Sequence, residues 1–271
     1  MSATPTGEAA AQVLATLVAS AQPPDDEAGR GLTASLAQAA RWGRLADLAG
    51  WARSCGVTPE VDVTVVHPET VADDVEVAVT QAVTVAAGLP LASVAVLRGD
   101  DLIGARALAC VYLGWDPVRV TGWPRGAADR MVPSDADWID QVASIRARVA
   151  PAAGLHRSTE PAQLLRTIGA SEQAWILAFL LASAGRGVPV LLDGEAAICA
   201  AALARWSCPA AAGWWQAADR GEAPTMAPLL ADLDLVPVLD LGADDPDATS
   251  ALLAVGVVRR AAALVPSPGG S

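Results

Sequence analysis

Apolar residues recur every three or four positions from Glu8 to Ala21 and again from Gly31 to Cys55, with polar residues between them. That is the period of amphipathic helices, and QPPDDEAGRG between the two stretches reads as a loop. Val61–Val66 is a short β-branched run, and a helical stretch from Ala72 to Ala87 separates it from a second run, Ala92–Leu97. The pattern is strand, helix, strand. It continues with a helix over Leu102–Leu113, a strand over Val118–Thr121, a helix over Asp135–Val149, and one or two packed helices over Ala162–Ala184. Pro189–Asp193 carries the strongest buried-strand signal. Ala196–Trp206 is again helical, PAAAGWWQAAD holds a strand or turn, Met226–Leu233 is a helix, and Ser250–Val265 closes the chain as a helix.

Strands alternating with helices predict an α/β fold with a mostly parallel sheet wrapped on both faces, Rossmann-like. The N- and C-terminal helices add a small helical subdomain. The expected division is a helical segment over 1–58, an α/β domain over 59–265, and a disordered tail over 266–271. Ligands of such sheets sit beyond the carboxyl ends of the strands. The informative loops are therefore those after Leu97, Thr121, Asp193 and Asp240, all rich in Asp, Gly or Arg. Any one such Gly-Asp is more simply a helix cap or a turn.

Composition narrows the chemistry. At 271 residues the chain is long enough for one sizeable core. Its mean hydropathy of +0.36 comes from Ala, Val and Leu in short runs broken by Arg, Asp, Gly or Pro. None approaches the roughly 18 apolar residues of a membrane span. The first 30 residues lack basic charge ahead of their apolar stretch, so a secretory signal is a poor reading and a cytoplasmic location is expected. A net charge of −12 argues against binding a nucleic-acid backbone. All 18 cationic residues are arginine, which excludes Schiff-base and P-loop lysine chemistry. Cys55, Cys110, Cys199 and Cys208 are widely spaced, and His67 and His156 lie far apart, so neither a disulfide framework nor a metal site is expected. No cofactor motif is present, and none is expected.

The stretch from Gly187 to Leu264 holds Leu192-Asp193-Gly194 before an alanine-rich helix, then Asp219-Arg220-Gly221-Glu222-Ala223-Pro224-Thr225. Asp245-Pro246-Asp247-Ala248-Thr249-Ser250-Ala251 precedes the last helix. In order and spacing it resembles the nicotinate-nucleotide:dimethylbenzimidazole phosphoribosyltransferases of cobalamin assembly. Those proteins carry L-D-G, H-R-S-x-E-P-G and L-G-E-G-x-G-A at the three places. Upstream, TEPAQLLRTIGASEQAWILAFLLASAGRG resembles the family's D-P-x-x-x-L-x-x-x-G-G segment, and WGRLADLAGWARSCG its N-terminal helix. The likeness is specific in the C-terminal half and weaker before Leu97, where some tens of family residues have no counterpart.

The resemblance implies transfer of phosphoribose from nicotinate mononucleotide to dimethylbenzimidazole. That reaction needs a bound phosphate, a base for the azole proton and a dry pocket for a flat acceptor. The position of the family's glutamate base matches Asp247, whose reach is shorter by more than about 1 Å. Misplacement on that scale costs about 10²-fold in rate. The phosphate loop matches Arg98-Gly99-Asp100-Asp101-Leu102-Ile103-Gly104-Ala105-Arg106, with Asp100 at the acidic position but without Asn-Thr-Thr. Such a loop repels phosphate unless Arg98 or Arg106 offsets the aspartates. The family's phosphate lysine matches Gln141. Arg220 and Pro224 are kept in the loop matching H-R-S-x-E-P-G, whereas Asp219, Gly221 and Glu222 replace His and Ser. Asp193 and Gly194 complete the expected substrate-binding set.

His67-Pro68-Glu69 stands where the family has Asp-His-Gly, and His67 reads as a surface or packing residue. His156 carries no assigned chemistry. Trp214-Trp215 reads as core, and Trp42 as a filler of the former acceptor pocket or a partner contact. Loss of phosphate ligands on a retained scaffold leads to the expectation of a degenerate paralogue, a pseudoenzyme acting as a binding or partner subunit. It would pair as a homodimer or with an intact relative, around a small nucleotide or aromatic base. Two alternatives stand beside it: an active phosphoribosyltransferase using Asp247 and arginines, and a purely structural or regulatory protein with a filled cleft.

Overall fold

The strands with the longest apolar runs form the centre of the sheet. In the computed structural model, which describes residues 6–38, 42–68, 70–123, 134–243 and 247–264, β2 (Ser93–Arg98) and β3 (Val190–Asp193) are buried along their whole length. They lie between β1 (Asp62–Val66) and β4 (Trp215–Ala217) in the order β1-β2-β3-β4. All three pairings are parallel. The register sets Val66 opposite Leu97 and Arg98 opposite Asp193, so the carboxyl ends of the strands share one edge. β1 borders the sheet, and its Val65 is exposed.

Alternation along the strands sorts the core into two faces. Ala95, Leu97, Val190 and Leu192 pack into the larger cluster. That layer is built by α1 (Thr6–Ser20), α4 (Val75–Gly88), α5 (Leu102–Leu113), α8 (Pro161–Thr167), α9 (Ser171–Gly185), α10 (Gly194–Ser207) and α11 (Met226–Leu233). Val94, Val96 and Leu191 point the other way, onto α3 (Arg44–Ser54) and α12 (Thr249–Ala262). α2 (Asp26–Gln38) joins α3 and α12 in a third, small cluster with Leu48, Ala49 and Ala261 at its centre. Gly29 and Gly50 let α2 and α3 approach closely, since a Cβ on Gly29 would stand 2.6 Å from the Gly50 carbonyl oxygen. The observed architecture is thus the α/β fold read from the sequence, with a helical cluster formed from both ends of the chain.

Two expectations are overturned. Val118–Thr121, expected as a strand, is the end of a short helix, α6 (Pro117–Thr121). The Asp116 carboxylate accepts from the Arg119 N–H at 3.0 Å, and Pro117 occupies the first position, so local capping outweighs β-branched propensity. The loop after Thr121 is therefore not at a strand end. The stretch 31–55 is two helices, and Asp26–Gly31, expected as loop, forms the first turns of α2, with Asp25 accepting from the Ala28 N–H at 3.2 Å. The Ala162–Ala184 stretch resolves into α8 and α9, parted at Gly169, whose φ of +61° suits glycine. α7 (Asp135–Val149) starts on a capping box at Ser134 and Asp137. The expected tail over 266–271 lies outside the described residues. Among those residues no helix is long and apolar enough to cross a membrane.

Candidate active site at the carboxyl ends of the strands

The two central strands each end in a charged residue, and the parallel register brings these together. Arg98, last in β2, points across the ladder to Asp193, last in β3, with Nη1 donating to Oδ2 at 3.1 Å. Both side chains are nearly inaccessible, at 9% and 2% exposure. The Ser250 hydroxyl, from the first turn of α12, donates to the other Asp193 oxygen at 2.9 Å. Gly194 follows with φ +80°, and a Cβ there would stand 3.3 Å from Arg98 Nη1. Asp100 lies at the exposed rim, 3.6 Å from Arg98 Nε.

A second buried pair lies one turn into α5 and at the start of α10. Arg106 Nε and Nη2 both reach Glu195 Oε2 at 3.0 Å, a fork on one carboxylate oxygen. Glu195 also accepts from the Thr225 hydroxyl, and Arg106 Nη1 donates to Gln141 Oε1 at 3.1 Å. Gln141 thus serves the arginine through its amide oxygen.

The entry to α5 is held from below. Glu172 Oε1 accepts from the backbone N–H groups of Asp100 and Asp101 at 2.7 and 2.8 Å. Asp101 caps α5 by accepting from the Gly104 N–H at 2.9 Å, and its other oxygen pairs with Arg148 at 3.0 Å. Burial raises the Glu172 carboxyl above its ordinary value of 4.5, against the two backbone N–H groups that lower it. A raised folded value means this group's contribution to stability is fully present below pH 4.5 and is lost as pH climbs through the folded value. Glu172→Gln keeps an acceptor for the N–H groups and removes the titration. In urea unfolding from about pH 4 to pH 8, wild-type stability relative to this variant should fall as pH rises. A pH-independent difference would show that the group does not titrate differently on folding.

The other expected site residues lie on the loops after β4. Asp219 accepts from the Leu241 and Ala243 N–H groups at 2.7 and 2.9 Å, tying loop 219–222 to loop 240–243. Arg220 pairs with Asp240 at 3.2 Å in solvent. Glu222 lies against Gly242, where a Cβ would approach Glu222 Oε1 to 2.9 Å. Asp247 is exposed in the turn before α12. The structure therefore gathers Arg98, Asp193, Gly194 and Asp100 into one group, links Gln141 to the neighbouring Arg106 pair, and leaves Arg220 and Asp247 on the solvent side.

Sequence reasoning missed Glu172, Glu195, Thr225 and Ser250. The signal was present for Glu195, which directly follows Asp193-Gly194, but an acid in a first helical turn reads as a cap. A cavity of about 470 Å³ is lined by His67, Pro68, Gln81, Thr84, Val85 and Trp175 among others, and Trp175 is one turn along α9 from Glu172. The four cysteines are buried thiols, and burial with the nearby Asp116 charge pushes Cys110 up to about 12, so it is not a thiolate at neutral pH.

A family model described as Phosphoribosyltransferase matches residues 101–267. Among curated proteins, the nicotinate-nucleotide–dimethylbenzimidazole phosphoribosyltransferase of Mycobacterium avium (strain 104) is 34% identical over 181 residues, 63% of this chain and 48% of that protein. That of Mycobacterium ulcerans (strain Agy99) is 32% identical over 203 residues, 69% and 53% of the two chains. The chain spans about half the length of the curated relatives it matches. Two solved structures from Thermus thermophilus, one titled as the same phosphoribosyltransferase, align with TM-scores of 0.56 and 0.58 at 24% and 23% identity. They cover 77% and 80% of this chain, and 56% and 60% of their own, and they support the fold. The chain belongs to the nicotinate-nucleotide–dimethylbenzimidazole phosphoribosyltransferase family.

Proposed function

We propose that this chain is a member of its family that has lost phosphoribosyl transfer and acts as a binding or partner subunit in cobalamin lower-ligand assembly, in the cytoplasm. The observation that carries the reading is the state of the two arginines nearest the strand ends. Arg98 is bound to Asp193 and Arg106 to Glu195, each through a carboxylate at least 95% buried. An incoming phosphate would have to displace a carboxylate already held at hydrogen-bond distance. It would also leave that carboxylate buried without its cation, which costs several kcal/mol. The backbone N–H groups that open α5 are engaged by Glu172. Asp247, at the position of the family's base, is exposed to water rather than enclosed with an acceptor.

The binding half of the reading is supported by the cavity beside His67. About 470 Å³ is within the range of small-molecule pockets, and Val77, Val85 and Trp175 make its wall chiefly apolar. A flat aromatic base suits it better than a nucleotide. The partner is a second copy or an intact relative.

Calorimetric titration with nicotinate mononucleotide, with and without dimethylbenzimidazole, tests the proposal. The expected outcome is no saturable binding of the nucleotide up to about 1 mM, a free energy weaker than about −4 kcal/mol, and no released nicotinate. Saturable binding with turnover that Asp247→Asn abolishes would sink the proposal and establish an active transferase. Co-purification with a full-length family member then tests the partner role.

A further inference from the structure

A second cavity, of about 600 Å³, opens at the far end of α5, between its carboxyl end at Gly114, the 156–158 loop and the end of α10 at Trp206. α5 has 12 residues, so this cavity lies roughly 18 Å along the helix from the strand-end group. It shares no lining residue with the cavity beside His67, and none with the charged network at the strand ends.

Its polar groups are mostly donors. The Arg157 guanidinium carbon stands 4.4 Å from the Trp206 ring centre and 5.7 Å from that of Tyr112. The aromatic faces fix the plane of the guanidinium, and Arg157 also bonds the Tyr112 hydroxyl, which leaves it N–H groups to spare among its five. Its nearest carboxylate oxygen, Asp232 Oδ1, is 3.7 Å away, beyond hydrogen-bond length, while Asp232 Oδ2 accepts from the Tyr112 hydroxyl at 2.5 Å. Asp232 thus pairs with Arg157 only at the outer range of a salt bridge, and Arg157 stays 44% exposed. Next to it, the Ser158 hydroxyl and His156 Nδ1 are 2.5 Å apart. With the hydroxyl donating to Nδ1, the ring proton is on Nε2, and the ring presents a second N–H donor.

We propose that this cavity is a binding site for a small oxyanion, a phosphate monoester or a carboxylate, held by Arg157 with the His156 ring, which the Ser158 hydroxyl positions. A guanidinium fork matches either group in two parallel bonds, and a braced fork loses little freedom on binding. An anion rather than a cation follows from the donors, and the net charge of −12 makes a braced arginine facing a cavity stand out from the surrounding surface.

The test is titration of the whole chain with inorganic phosphate and, separately, with acetate at constant ionic strength, read from the indole N–H signal of Trp206 assigned through Trp206→Phe. A saturable shift with at least one of the two anions is expected. Arg157→Ala should weaken it at least about tenfold, the loss of one charge-assisted hydrogen bond. Ser158→Ala should weaken it less, and Arg220→Ala, on the strand-end loops, should leave it unchanged. No saturable shift with either anion overturns the proposal. So does an Arg157→Ala chain with the wild-type thermal midpoint and undiminished binding, and so does loss of binding through Arg220→Ala. If Arg157→Ala fails to fold, Ser158→Ala decides, and its unchanged affinity counts against the site.

Discussion

Arg98→Leu should destabilise the fold by about 3–5 kcal/mol, the cost of leaving a buried carboxylate without its cation. Asp193 is 2% exposed, and the Ser250 hydroxyl that also holds it is neutral. The double change Arg98→Leu with Asp193→Leu should recover most of that loss, because an apolar pair of similar volume removes both desolvated charges at once. Urea denaturation of the two single variants and the double variant gives the coupling directly. Near-additive losses would show that Asp193 is held by Ser250 and its other neighbours, and would remove the main support for a cleft closed by its own charges. The experiment also separates two uses of the pair. If Asp193→Leu, which frees the Arg98 guanidinium, lowers stability but creates no affinity for nicotinate mononucleotide, the arginine is structural and the site is not a masked phosphate cradle.

Phe179→Ala should cost about 3–5 kcal/mol, near the upper end for a single core truncation. α9 is buried at every position from Gln173 to Ala184, and Phe179 lies stacked on Trp175, ring centres 5.3 Å apart and planes 7° from parallel. A helix enclosed on all sides has no soft boundary along which neighbours collapse into a void. A domain of marginal stability, about 5–15 kcal/mol, would lose a large share of it. The midpoint of urea unfolding should fall while the slope stays constant. A loss below about 1.5 kcal/mol would mean that α4 and α10 repack into the space.

These two sites differ in how far the sequence announces them. The run SEQAWILAFLLASAG is apolar almost throughout, so its burial on all sides is written in local composition. The same holds for β2 and β3, whose short apolar runs mark them as interior strands. Local reading failed where capping competed with propensity, as at Val118–Thr121, since a single Asp-Pro start turns a β-branched stretch into helix. It failed differently for the site. Arg98 was legible as a cation in a strand-end loop, but its partner lies 95 residues away, and Glu195 lies 89 residues from Arg106. Asp219, legible as a replaced histidine, instead pins loop 240–243 through two backbone N–H groups.

The sequence by itself determined the α/β class, the parallel strands and the family, because periodicity, turn residues and motif order are properties of neighbours along the chain. Only the tertiary structure decided what the charged residues do. The parallel register brings the ends of β2 and β3 to one edge, and α12 returns to set Ser250 against Asp193. At that edge burial strengthens every charge interaction, so whether an arginine faces a ligand or a carboxylate of its own chain depends on angstrom-scale placement between distant segments.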